Sequence, residues 1–460
     1  MAIRAGTNNP AISSLTENPV LLWVSVAAAA AVLGLAVGQG LWWLVLLLAS
    51  VPVVLRWPIE VTFGLFVLLI PFEDISLLGG EGSRTLVWLV GGLAACSFVA
   101  VGLADKRLER PPRTALWWSL FVLWGCASML WAADPHAALI RLPTFLSLWV
   151  LYLAASSFRL RKNEMQWIVL MVILGGCAAA LFAVYQFYGG VHYAGRYQTN
   201  RETLALGESE TNPNKLALAF LLPLSLALAQ FLGSRRRLVK LAMLAGVAVI
   251  GVAIFLTMSR GGLLSLLVVL VLFSIRLKVG RKVLVVAALL SALTMTMPQE
   301  FFDRIKGESG GAGGAGRLYI WKVGWKLFKD HAIVGAGFDN FPVVYNRYAG
   351  DAPVFEGFGR GSHNVYLKVV VDLGLVGFLF FLLAINSQRN LVASCKQYSS
   401  HGPPTLLVAS EAAFWAVLTF SFFGDPLYDK AFWLPWIMLT FAIKMAPEES
   451  TESSLQPARP

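Results

Sequence analysis

The sequence predicts an all-α fold, a polytopic bundle of membrane-crossing helices, and three observations carry that prediction. Of 460 residues, 57% are hydrophobic and only 14% charged, against about 45–50% apolar and about 25% charged in an ordinary soluble domain. Apolar runs able to cross a hydrocarbon core, which takes roughly 20 residues of helix, recur along the whole chain. The connections between them alternate between basic and nearly uncharged. Lipid offers no partner to an unpaired backbone amide, so only helices or a closed barrel can span. Continuous apolar runs exclude the alternating pattern of a barrel strand.

In chain order, residues 1–19 read as a cytoplasmic segment. The first run begins near Val20 and many follow it, so it reads as a retained helix and not a cleaved signal. Runs at 20–38, 41–55, 58–72, 85–103, 114–131, 142–158 and 165–188 form a first membrane region, 20–188. After a loop at 189–214 come runs at 215–232, 238–258, 261–275 and 283–297, a second region spanning 215–297. A large loop, 298–362, separates these from 363–444, where runs at 364–385, 404–423 and 427–444 lie. The polar, acidic tail 445–460 is expected to be disordered. These fourteen runs become twelve if a pair of the short ones is re-entrant.

The connections orient the bundle. Arg4, Arg56, "DKRLERPPR" at Asp105–Arg113, "RLRK" at Arg159–Lys162, "RRR" at Arg235–Arg237, "RLKVGRK" at Arg276–Lys282, Arg389 with Lys396, and Lys444 all fall on one side. The positive-inside rule makes that side the cytoplasm and puts both termini there. The short alternate connections carry only Arg84, Arg141, Arg260 and Lys430. The net charge of +11 is therefore an orientation signal in scattered clusters, and nucleic acid is not an expected partner. Cys96, Cys126 and Cys177 lie in apolar runs and Cys395 in a polar connection, without disulfide-framework or zinc spacing.

The two long loops are then outside. In the second, "RLYIWKVGWKLFKDH" repeats Leu318, Trp321, Trp325 and Phe328 at helical spacing, with Arg317, Lys322, Lys326 and Lys329 around them. This predicts a short amphipathic helix, lying on the membrane surface or packed on its own domain. Either arrangement covers the outer ends of the bundle.

Four histidines, His136, His192, His331 and His363, and the arginines Arg196, Arg201, Arg260, Arg317 and Arg360 fall on that outer side. In "LTMSRGGLLSLL" Arg260 stands at a tight turn between two apolar runs, where a cation is expensive and marks function or snorkels to lipid phosphate. A guanidinium grips phosphate oxygens with two parallel hydrogen bonds, so several outward arginines suggest a lipid-linked phosphate or pyrophosphate. No Asp-x-Asp pair occurs, and Glu208, Glu210, Asp339 and Asp351 have no metal spacing; neither metal nor cofactor is expected. In "GRGSHNVYLKVVVDLGLVG", His363 sits one step outside a membrane run.

Taken together, "SHNVYLKVVVDLGLVGF", "TMSRGG" and "RLYIWKVGWKLFKDHAIVGAGFDNF" resemble the O-antigen ligase and polymerase superfamily of bacterial envelope glycosyltransferases. The resemblance covers roughly Lys215–Phe381 and is good at His363, Asn364, Tyr366, Leu367, Gly374 and Gly377, and at Gly335 and Gly337; Asp372 stands where the family more often has Glu. It implies a GT-C-like, multi-pass enzyme of the bacterial inner membrane. Such an enzyme takes a glycan from undecaprenyl pyrophosphate and passes it to an acceptor hydroxyl on the periplasmic face, usually the lipid A core. Carried over by position, Arg260 and a first-loop arginine, best matched by Arg196 with Arg201 as rival, hold the pyrophosphate, and His363 serves the acceptor. Arg317, Asn364 and Tyr366 are further substrate-binding candidates. Asn214 falls where the family has an asparagine at a helix start, where N-capping is its expected role.

The chemistry fits the residues independently. A lipid pyrophosphate leaves readily, so the protein need neutralise its charge, orient the sugar and take a proton from the attacking hydroxyl, a task suited to imidazole. A polymerase uses the same donor residues with another acceptor. A transporter or lipid flippase instead places coupling charges in broken helices at the midplane of repeated halves. Here only Lys368, Asp372 and Glu411 interrupt the apolar runs, and no internal repeat is visible.

Overall fold

The computed structural model describes residues 52–74, 86–193, 201–206, 209–278, 288, 316–351, 355–397 and 404–455. The chain divides into two compact units, Met1–Val61 and Thr62–Pro460. Of the first, residues 52–61 are described, helical except at Trp57. The expected arrangement of apolar helices is found: α1 (Pro58–Leu69), α2 (Leu86–Ala104), α3 (Arg113–Ala127), α4 (Pro135–Ser156), α5 (Lys162–Tyr188), α6 (Pro213–Gly233), α7 (Arg237–Leu256), α8 (Arg260–Leu277), α9 (Arg317–Asp330), α10 (Phe341–Tyr345), α11 (Val365–Gln397), α12 (Thr405–Phe420) and α13 (Lys430–Leu455). Among the described residues seven helices are long and apolar enough to cross a membrane: α2, α4, α5, α6, α7, α8 and the Val365–Cys395 part of α11. The predicted runs 20–38, 41–55 and 283–297 fall wholly or largely outside the described residues; each of the others overlies a helix.

Boundaries moved where a cap or a stop signal was misread. The run expected at 142–158 begins as helix at Pro135, because the Asp134 carboxylate accepts from His136 N at 2.9 Å and caps α4. Pro143 is accommodated inside that helix. The tail expected to be disordered from 445 continues α13 to Leu455; no glycine interrupts it, and Pro457 follows its end. The first long loop contains a two-residue antiparallel pair, β1 (Ala205–Leu206) with β2 (Ser209–Glu210).

In the second unit, α6 is apolar on every side and accordingly buried, packed by α5, α7, α8 and α12. Beside it, Trp118 of α3, Trp433 and Trp436 of α13 and Phe381 of α11 meet edge to face or tilted in a second packed centre. Such aromatic contacts add ~0.5–1.5 kcal/mol per pair beyond area burial.

Helix α9 settles the amphipathic stretch differently from its apparent stripe. Its buried face is Ile320, Val323 and Leu327, packed on Phe341, Val344, Tyr345 and Val371. Leu318 and Trp325, read from spacing as one stripe with Trp321 and Phe328, are more than half exposed. The helix is therefore both packed on its own domain and apolar outside. The reason is the long chain of α11: Leu367 lies so near Gly324 that a Cβ there would stand 2.7 Å from it, which fixes which side of α9 faces inward.

A break in α11 positions everything at its N-terminal end. Gly374 has φ 66° and ψ −169°, so the helix is interrupted after Leu373. Gly374 opens the hydrogen-bond ladder, and the segment 332–337 fills the gap. Leu375 N donates to Ala332 O at 2.8 Å, Ala336 N to Val371 O at 2.9 Å, Gly337 N to Asp372 O at 2.8 Å, and Trp124 Nε1 to Leu373 O at 2.9 Å. Irregular backbone inside a membrane protein survives only when its polar groups are satisfied in this way. Gly335, with φ 81°, has no space for a side chain, since a Cβ would stand 2.2 Å from Asp372 O.

Candidate active site

The turn between α7 and α8 is built by "TMSRGG". Met258 takes a left-handed φ of 50°, which reverses the chain within two residues of Leu256. Ser259 then caps α8, its Oγ accepting from Gly262 N at 3.2 Å. Gly261 and Gly262 press the helix start onto its neighbours: a Cβ at the first would stand 2.9 Å from Phe423 Cβ and at the second 2.8 Å from Ala217 Cβ. Arg260, the first helical residue, is left exposed beside them.

Arg260 opens into a small recess whose lining also includes Asn214, Met258, Ser259, Gly261, Phe423 and Arg317. Arg317 comes from a different part of the chain, as the first residue of α9 after Gly316 with φ 74°. Two guanidinium groups, an amide and the start of an 18-residue helix thus face one space. Backbone N–H groups at a helix start and its positive dipole end favour an anion.

His363 adjoins this recess through Arg317, whose charge acts on it. "SHN" is built so that the histidine alone projects. Asn364 Oδ1 accepts from Leu367 N at 3.0 Å and caps α11, and buried Ser362 Oγ accepts from Asn364 N at 3.2 Å. Trp321 Nε1 of α9 donates to Ser362 O at 3.0 Å and ties the segment down. His363 itself takes a φ of 50°. It is exposed by area, yet protein surrounds most of the ring; burial first, and the Arg317 charge second, push its pKa down to about 4. The imidazole is therefore neutral near pH 7 and able to accept a proton.

The other expected site residues divide. Arg201 is buried behind the recess, its Nε donating to Thr257 O at 2.8 Å and a terminal nitrogen to Asn214 Oδ1 at 2.9 Å. It reaches the recess through Asn214 and the TMSRGG turn. Neighbouring Glu202 is buried too, and burial holds its carboxyl well above the usual carboxylate range. Arg196 lies outside the described residues. Asn214 does not cap α6; Asn212 does, accepting from Asn214 N at 2.9 Å. That leaves the Asn214 side chain for Arg201 and the recess. Asn364 is the α11 cap, and Tyr366 stacks on Phe422 while its hydroxyl donates to Leu418 O at 2.9 Å. Of the other histidines named from the sequence, His192 packs on Phe187 and His331 ends α9; neither lines the recess.

One charged cluster was only partly legible in the sequence. Lys368, buried one turn into α11, meets Asp339 at 2.7 Å, Asp372 at 2.8 Å and Asp425 at 4.0 Å. Arg141 approaches Asp339 at 3.7 Å. Four separate chain segments are thereby pinned beneath the His363 loop. Lys368 and Asp372, four apart in an apolar helix, were visible as a pair; Asp339 and Asp425 are brought in by the fold. Among the described residues no three His, Cys, Asp or Glu side chains group so as to hold a metal ion.

No curated protein matches the chain. Residues 245–382, which run from within α7 to within α11 and contain Arg260, Arg317 and His363, match the family described as O-antigen ligase, so this part of the chain is similar to that family.

Proposed function

We propose that the protein is an O-antigen ligase-like glycosyltransferase that moves a glycan from undecaprenyl pyrophosphate to an acceptor hydroxyl, that of the lipid A core, on the periplasmic side of the inner membrane. The observation that carries this reading is the recess itself: Arg260 and Arg317, distant in sequence, face one space at a helix start, and Arg317 also acts on a neutral histidine. The pyrophosphate lies between the two guanidinium groups and the first N–H groups of α8, with Asn214 orienting it. His363 takes the acceptor proton as the hydroxyl oxygen attacks the anomeric carbon. The bond from that carbon to the phosphate oxygen breaks, and the lipid diphosphate leaves with the electron pair, its charge neutralised by the arginines. The proton on His363 then passes to water or to the departing diphosphate. Neither metal nor cofactor enters the scheme.

A polymerase shares this donor chemistry and differs in the acceptor alone. The test reconstitutes the full chain with a lipid-linked glycan and offers lipid A core or a second lipid-linked glycan as acceptor. Arg260→Ala is expected to abolish transfer, and Arg260→Lys to restore little, because a point charge does not reproduce a two-pronged grip. His363→Ala is expected to lower kcat by about 10²–10⁴ while donor binding persists. Wild-type rates in Arg260→Ala and His363→Ala would remove the reading, and transfer only to a second lipid-linked glycan would make the protein a polymerase.

A further inference from the structure

A second cavity, of about 720 Å³, lies at the other end of α8, between that helix, α12 and the far half of α11. Its lining is polarised. Arg276 of α8, Arg389 of α11 and Glu411 of α12 stand at one end, and Leu267, Val271 and Trp415 continue the wall away from them. From Leu267 to Arg276 the wall runs about 14 Å along the helix axis. Leu267 and Val271 are 54% and 45% exposed, so the apolar part opens sideways, toward lipid.

The charged end is constructed and not a chance of snorkelling. A snorkelling arginine keeps its head in water, whereas an Arg276 terminal nitrogen is held 2.8 Å from Glu411 Oε1, a carboxylate only 4% exposed. The buried Arg276 Nε makes no hydrogen bond among the described residues. Arg389 is exposed at the same mouth. Two guanidinium groups against one carboxylate leave one positive charge, at the base of an apolar groove. An amphiphile with an anionic head matches both parts.

We infer that this cavity is a binding site for an anionic phospholipid of the leaflet facing the basic connections, with its phosphate on Arg276 and Arg389 and an acyl chain along Leu267 and Val271. The lipid-linked donor is not the occupant, because Arg260 and Arg276 lie about 24 Å apart at opposite ends of α8. The site therefore stands whether or not the outer recess binds pyrophosphate. Its occupant fixes the far end of the helix that presents Arg260.

Native mass spectrometry of the purified full-length protein tests the assignment, after incubation with phosphatidylglycerol or, separately, phosphatidylcholine. One phosphatidylglycerol is expected to be retained in preference to phosphatidylcholine, and excess inorganic phosphate is expected not to displace it. Arg389→Gln, at an exposed position, removes a charged hydrogen bond to the head and is expected to weaken retention about tenfold. Val271→Trp fills the groove with the charges intact and is expected to weaken retention as well. Equal retention of the two lipids, displacement by inorganic phosphate, or wild-type retention in both variants would overturn the site.

Discussion

At His363 the backbone, the neighbouring cap and the charge field combine. A φ of 50° turns the side chain away from the caps formed by Ser362 and Asn364, and Arg317 raises the cost of an imidazolium. With the free-enzyme pKa pushed down to about 4, the acid limb of kcat/KM is expected far below the ~6.5 of ordinary imidazole. The sign follows from the base role: protonation removes the base, so the rate falls only as pH drops through the lowered pKa. Arg317→Gln takes away the smaller of the two causes, so the limb is expected to move upward yet remain below the ordinary value. Bound pyrophosphate offsets the same guanidinium, so the acid limb of kcat should lie above that of kcat/KM. A kcat/KM profile falling near the ordinary imidazole pKa in both proteins would break the link between Arg317 and His363.

Among the elements, the interrupted α11 and the segment that fills it decide whether the site exists. Gly374 and Gly335 each have positive φ and backbone atoms where a Cβ would stand, at 2.2 Å in both cases. The φ alone costs a non-glycine residue about 1–3 kcal/mol, and the overlap adds to it. Gly335→Ala and Gly374→Ala are therefore expected to lower the melting temperature and abolish transfer together. Gly350→Ala, where a Cβ meets nothing within 4 Å, serves as the control and should behave as wild type. Retention of stability and transfer in Gly374→Ala would show that the helix tolerates closure of the break.

For the whole molecule the expectation concerns what the reaction does without. Five carboxylates of the second unit are committed to cations: Asp339, Asp372 and Asp425 surround Lys368, while Asp74 and Asp429 approach Lys215 at 3.2 Å and 3.3 Å. None is gathered in a ligand set, and two arginines at the recess already supply the positive charge a pyrophosphate needs. Transfer by the purified protein is therefore expected to be unchanged by EDTA. Loss of activity restored by magnesium or manganese would contradict the arginine-based scheme.

The sequence by itself determined the class of the fold, because spanning length and the burden of an unpaired amide in lipid are local properties that any run of apolar residues reveals. It also singled out Arg260 and His363 as candidates, since a charge or an imidazole at the edge of an apolar run stands out against its surroundings. Tertiary structure alone decided which groups share a site. Arg317 stood in an apparent surface helix, and its meeting with Arg260 depends on α9 docking across α11. Asn212, not the expected Asn214, caps α6, because the capping residue is set by the φ/ψ step at which the helix begins, and Pro213 starts it between the two asparagines. The break at Gly374 was not legible because its conformation is imposed by residues 332–337, about forty positions away in the chain, whose amides and carbonyls complete the broken helix. Local patterns report solvent and lipid; they carry no record of which distant segment satisfies a hydrogen bond or neutralises a charge.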